Sequence, residues 1–157
     1  MSQLLFGLIM GGIIVLAALF NGLYVNKKEA KLAASHHPRK LTTAQRDQFL
    51  KSLGEAPAGA INITAIRGDL ESVSFAHELN SLFQTAGWPT QGVRQAFLTG
   101  NPTGLILTVN SREGTPPHAS LLQNTFKAIG LPAPAEINSN NPLQSLNLIV
   151  GHQPELL

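Results

Sequence analysis

The chain has 157 residues, 43% of them hydrophobic and only 13% charged, with a formal net charge of +2. The apolar residues crowd into the first 25 positions, and the basic stretch behind them leaves about 100 residues, the size of one ordinary domain, so a multidomain enzyme is excluded. With no cysteine, a disulfide framework, a thiolate zinc site, an iron–sulfur cluster and a cysteine nucleophile are excluded too.

From Leu4 to Val25 the sequence reads LLFGLIMGGIIVLAALFNGLYV, 22 residues without a charge. At a helical rise of about 1.5 Å per residue this stretch crosses the roughly 30 Å hydrocarbon core, and it is predicted to be a retained transmembrane helix. A cleaved signal peptide would carry a basic start and a shorter apolar run; here Met1-Ser2-Gln3 has no charged side chain and Lys27 and Lys28 follow the run at once. Gly7, Gly11, Ala18 and Gly22 fall on one helical stripe. Small residues on one stripe let backbones approach closely in lipid, so the span is expected to self-associate or to pack on another membrane protein.

Residues 26–40 form a basic linker. Across residues 27–51 seven cations (Lys27, Lys28, Lys31, Arg39, Lys40, Arg46 and Lys51) face two acids, whereas residues 52–157 hold four cations against seven acids. Because Lys and Arg flanking a span stay on the cytoplasmic side, the N-terminus is expected outside and the C-terminal domain in the cytoplasm of an inner membrane. Lys27, Lys28, Lys31, Arg39 and Lys40 are expected at the membrane surface, each contributing about 1 kcal/mol of attraction to anionic headgroups. The basic run lacks interleaved aromatics and the rest of the chain is acidic, so no nucleic-acid partner is expected.

The domain is predicted to occupy residues 41–157. Thr42 and Gln45 have the capping-box spacing of a helix over 43–53, with Phe49, Leu50 and Leu53 on its apolar side. Ile61-Asn62-Ile63-Thr64-Ala65-Ile66 alternates at period two, as a half-buried strand does. Asp69 is placed to cap a helix carrying Val73, Ala76, Leu79, Leu82, Phe83 and Ala86 on one face, which Gly87 stops. A weaker strand is predicted over 93–98, a third over Leu105–Val109, a second amphipathic helix from Pro116-Pro117 to Gly130, a Pro/Asn-rich loop to Pro142, and a last strand over 146–151.

Only about six residues separate the second and third strands, too few for a crossover helix. A hairpin is the simplest connection, and it predicts a two-layer split βαβ sandwich with strands one and three central. Asn62, Thr64, Thr108 and Asn147 would then share a sheet face that is not wholly apolar. The alternative is a minimal Rossmann-like three-layer sheet, with the 43–53 helix covering the second face.

Arg39-Lys40-Leu41-Thr42, Gln45-Arg46, Gly68-Asp69, Ala86-Gly87-Trp88 and the closing Val150-Gly151-His152-Gln153-Pro154 together resemble a set of uncharacterised bacterial single-pass membrane proteins with a small C-terminal α/β domain. The resemblance implies a bacterial source and brings no catalytic residue with it. The βαββαβ order is also similar to that of cell-envelope modules such as the SPOR domain, a likeness of topology only.

In parallel α/β sheets ligands gather beyond the carboxyl ends of strands, where this chain carries Asp69, Asn110, Arg112 and His152. In a Rossmann-like sheet these would converge as a ligand-binding rim, Asp69 on a cation or hydroxyl, Arg112 on an anion, His152 active near neutral pH. Without that convergence Asp69 is a helix cap and Arg112 a solvated loop residue. No glycine fingerprint for dinucleotide or phosphate binding is present, and His36-His37 has no third ligand nearby. No cofactor and no metal are therefore expected, and no catalytic residue is assigned. The sequence thus points to a membrane-anchored cytoplasmic interaction or scaffold module; the alternatives are a small-molecule sensor or enzyme using the strand ends, and a periplasmic envelope module.

Overall fold

The computed structural model describes residues 38–154. The expected span, its Gly7, Gly11, Ala18 and Gly22 stripe, and Lys27, Lys28 and Lys31 lie outside those residues. Among the described residues no helix is long and apolar enough to cross a membrane. The elements are α1 (Thr43–Gly54), β1 (Ile61–Ile66), α2 (Leu70–Thr85), β2 (Thr90–Ala96), β3 (Leu105–Val109), α3 (Ala119–Ala128), β4 (Ala135–Ile137) and β5 (Asn147–Val150).

The helix starts follow local chemistry. Thr42 and Gln45 form the full capping box on α1, and Asp69 Oδ1 accepts from the Glu71 and Ser72 amides at 3.0 and 3.1 Å to start α2. These bonds satisfy amides that the helix itself leaves without partners. Gly87, at φ +77°, takes the left-handed conformation that ends α2.

The small α/β domain is built on a five-stranded mixed sheet in the order β2-β1-β5-β3-β4. β1 is parallel to both β2 and β5, β3 is parallel to β4, and β3 is antiparallel to β5. Each helical crossover therefore joins adjacent parallel strands, β1-α2-β2 on one side and β3-α3-β4 on the other. The expected split βαβ arrangement does not form, because β2 pairs directly with β1, in the place that the split order gives to β3, and β3 pairs with β5 instead. The brevity of the connection correctly excluded a crossover helix and so implied opposed strand directions, but it did not require adjacency. Residues 97–104 instead run across the ends of β1 and β5, three strand steps or about 14 Å, well within the reach of eight extended residues.

β4 falls within the stretch expected to be a Pro/Asn-rich loop. All three of its side chains are exposed, so it is held by backbone pairing to β3 and carries no periodic signal. β2 spans 90–96 rather than 93–98, leaving Phe97 81% exposed beyond its end.

Ile61, Ile63, Ala65, Leu105, Leu107, Val109, Leu148 and Val150 are buried on one face of the sheet, under the helices. α1 is the keystone of that layer: Phe49 meets Phe83 of α2 edge-on at 5.2 Å and Phe126 of α3 at 5.4 Å. Gln45 Nε2 donates to the Ile129 carbonyl at 2.7 Å, and Trp88 Nε1 to that of Leu53 at 3.3 Å. Since α1 packs on the other two helices, it does not cover the second face as a three-layer sheet would require.

The crossing segment closes onto the end of β5. The Gly151 amide donates to the Gly104 carbonyl, the Gly104 amide to that of His152, and the His152 amide to that of Pro102, each at 2.8 Å. A Cβ at Gly151 would lie 2.3 Å from the Pro102 carbonyl oxygen. Gly151→Ala is therefore expected to lower the unfolding free energy by about 3 kcal/mol in urea denaturation. Gly54→Ala, with open space around it, should leave stability unchanged or raise it by about 0.5 kcal/mol.

Candidate functional site

The four residues expected to converge lie at two opposite ends of the sheet. β1 and β5 run parallel, so Asp69 and His152 share one end. β3 runs the other way, carrying Asn110 and Arg112 to the far end. No single crevice collects them.

At the first end, His152 Nδ1 stands 2.6 Å from Asp69 Oδ2. A carboxylate accepts, so Nδ1 carries the proton and donates, which orients the ring and leaves Nε2 as its second nitrogen. Burial alone would raise the Asp69 carboxyl. The Ser72 amide, the His152 hydrogen bond and charge, and the Glu71 amide outweigh it and hold the carboxyl below the usual aspartate range. Ser72 Oγ donates to the Val150 carbonyl at 2.7 Å and accepts from the Ile66 amide, so this hydroxyl is committed to the fold. Among the described residues no hydroxyl is bonded to His152 Nε2, so the pair orients an imidazole without activating a nucleophile.

Arg39 belongs to this end as well. Expected at the membrane surface, it is instead held in the fold: Nε and Nη2 donate to the two Glu71 carboxylate oxygens at 2.7 and 2.6 Å, and Nη2 also donates to the Gly151 carbonyl at 2.6 Å. Its guanidinium carbon lies 4.8 Å from the centre of the Phe75 ring, and its side chain is only 11% exposed. A cation so paired and stacked is not available to headgroups. Lys40 is exposed.

At the opposite end, Asn110 Nδ2 donates to the Ser139 and Asn141 carbonyls at 3.0 and 2.6 Å. It is a staple for the 138–142 loop. Asn141 Nδ2 in turn donates to Thr108 Oγ1 at 3.0 Å, laying the loop over β3. Arg112 is exposed in its loop, as the simpler expectation for it had it. Among the described residues no three His, Asp or Glu side chains come together as metal ligands.

The stapled loop forms the wall of a groove of about 630 Å³ on the sheet face away from the helices. Its floor is the polar face foreseen in the strand alternation, since Asn62 pairs in register with Asn147, and Asn147 with Thr108. Arg94 joins them from β2, in register with Thr64. Thr64 is only 4% exposed and lines the groove, and among the described residues neither its hydroxyl nor the side chains of Asn62, Arg94 and Asn147 have a hydrogen-bond partner. The sequence carried the signal for Asn62, Thr64 and Asn147. It did not carry the one for Arg94, whose facing depends on the register of β2.

No family model matches the chain, and no curated protein and no solved structure matches it either. The site is therefore argued from its own residues.

Two outcomes follow. Because the Asp69 carboxyl is depressed in the folded state, its stabilising contribution is complete above about pH 4 and is lost as pH falls through the folded value. Urea denaturation should show wild type losing stability across that acid window more steeply than Asp69→Asn, which keeps a capping side chain but cannot titrate. Asn110→Ala should cost about 1 kcal/mol and speed amide hydrogen exchange in residues 138–142 selectively.

Proposed function

We propose that this protein is a membrane-anchored interaction module of a bacterial inner-membrane assembly, with its domain in the cytoplasm and its bare sheet face as the working surface. One observation carries the reading: β2, β1 and β5 form a parallel set that the described helices cover on one side only, while on the other side Asn62, Thr64, Arg94 and Asn147 have no side-chain partner among the described residues. Parallel sheets almost always have both faces covered. That face mixes polar Asn62, Thr64, Arg94 and Asn147 with half-buried Ile66, Ile106 and Ile149, and the stapled loop shapes it into a concave surface instead of leaving it flat.

Anchor and orientation are supported by the sequence: the uncharged run Leu4–Val25 and the cation-rich stretch after it. The stripe of Gly7, Gly11, Ala18 and Gly22 supports self-association or contact with another membrane protein within the bilayer. The sensor or enzyme reading at the strand ends loses its motivation, because Asp69 and His152 are separated from Asn110 and Arg112.

The test is photo-crosslinking in cells, with a photoreactive residue at position 147 on the bare face or at Gln123 on α3. Adducts from position 147 and none from position 123 are expected, in membranes that retain the protein through alkaline carbonate extraction. Protease added to spheroplasts should leave the domain intact. Adducts only from position 123, a carbonate-soluble chain, or a domain cleaved in spheroplasts would each remove a part of the reading.

A further inference from the structure

We infer that the groove on the bare sheet face binds a small polar monocarboxylate, with Arg94 pairing the carboxylate and Thr64, Asn62 and Asn147 addressing the hydrogen-bonding remainder of the ligand. The inference rests on the reading of that face as the working surface and names what it takes.

Charge decides the sign of the ligand. Among the described residues Arg94 is the one cation lining the groove, and no Asp or Glu lines it. Its guanidinium has no carboxylate partner among the described residues, in contrast to Arg39 and Arg46, which pair with Glu71 and Glu78. A planar guanidinium facing a groove without acids suits a bidentate oxyanion. A single cation, unsupported by a lysine in the lining, matches one negative charge; a dianionic phosphate would retain a charge without a partner.

The uncharged groups decide the rest. Thr64 stands beside Arg94 across the β1–β2 register, and Asn62 beside Asn147 across the β1–β5 register. The Thr64 hydroxyl is at the floor of the groove on a residue 4% exposed, so its donor and acceptor are directed at whatever occupies the space. Each asparagine amide offers two donors and an acceptor edge. Such groups complement hydroxyls or amides on a ligand. The lining contains no aromatic ring, so neither a nucleobase nor an apolar sugar face has anything to stack on. Among the described residues its apolar side chains are Ile63 and Val93, which turn to the core, and Pro142, a small bed for an acyl chain.

Size and rigidity agree. From Arg94 on β2 to Asn147 on β5 is two strand steps, about 10 Å, the span of a molecule of roughly a dozen heavy atoms. The volume of about 630 Å³ falls in the ordinary range for small-ligand sites, about 300–1,000 Å³. The wall is set in advance by the Asn110 and Asn141 bonds, which reduces the ordering cost of binding.

The experiment is an amide-shift NMR titration of the full chain in lipid nanodiscs. The probes are gluconate and N-acetyl-diglycine, which distinguish a hydroxyl-rich from an amide-rich carboxylate, each beside its neutral counterpart, glucose or N-acetyl-diglycinamide, with inorganic phosphate as a further arm. At least one carboxylate should shift Thr64, Arg94 and Asn147 with a Kd of about 1 mM or tighter, and its neutral counterpart should bind about tenfold more weakly. Arg94→Gln should weaken the carboxylate by about tenfold, Arg94→Lys by less, and Thr64→Val by a fewfold, all with unchanged thermal midpoints. Equal binding of the neutral counterparts, tighter binding of phosphate, shifts confined to other surfaces, or no binding of any probe at about ten times that Kd would overturn the inference. If crosslinks from position 147 persist when no carboxylate binds, the ligand class falls and the interaction module stands. If those crosslinks are missing too, both fall.

Discussion

The domain depends on the hydrogen bonding of β5 to β1 on one side and β3 on the other. The two βαβ units share no strand pairing of their own; the four-residue strand that arrives last in the chain is the seam between them. Leu148 and Val150 are fully buried, so the seam is apolar beneath and hydrogen-bonded along both edges. Because β5 is parallel to β1 and antiparallel to β3, the two units are turned about half a revolution relative to each other within the sheet plane. Crossovers of the same hand then place both helices on one side. The bare face is thus a consequence of topology: the arrangement that joins the units through β5 brings α2 and α3 together over one layer and, among the described residues, supplies no helix to the other.

The same topology divides the polar residues into two populations with different occupations. At the end where β1, β2 and β5 finish, Arg39 with Glu71, His152 with Asp69, and Ser72 with Val150 are satisfied by one another and by backbone carbonyls. They hold the segment that crosses the sheet and the chain at Arg39 against α2. Charges withdrawn from water persist only when paired and hydrogen-bonded, as Arg39 and Glu71 are. On the bare face Thr108 is bonded to Asn141, whereas Asn62, Thr64, Arg94 and Asn147 have no such obligations among the described residues. A rule that looks for ligands beyond the carboxyl ends of parallel strands points to the first population, but the β3 reversal removes the shared crevice on which the rule depends.

What was legible in the sequence is what local chemistry controls. The Thr42–Gln45 box, the Asp69 cap, the turn at Gly87 and the alternation in β1 each arise from residues within a few positions of one another. The polar face of Asn62, Thr64, Thr108 and Asn147 was legible for the same reason, because side-chain alternation is a property of a single strand. Strand order is not such a property. The polar TQGVRQA of β2 suits a solvated edge, and the apolar LNLIV a central position, but a connection of a few residues reads the same whether its strands are neighbours or lie two strands apart. Nor does the Arg39 pairing have a local sign, since Glu71 is 32 residues away and Gly151 112 residues away.

Arg94 shows how a single backbone detail converts a sequence into a site. Between the pairs Ile61–Thr90 and Ile63–Val93, β1 advances by two residues and β2 by three. The extra residue is a bulge, and Gly92 carries its left-handed turn at φ +81°. In an unbulged strand Gly92 would pair with Ile63 and Val93 with Thr64, which would turn Val93 to the bare face and Arg94 toward the helices. The bulge reverses both: Val93 packs against the core and Arg94 is set on the bare face in register with Thr64. The edge strand is also made a poor template for pairing with another chain. One inserted residue therefore protects the edge of the sheet, completes its core face and sets the charge of the groove.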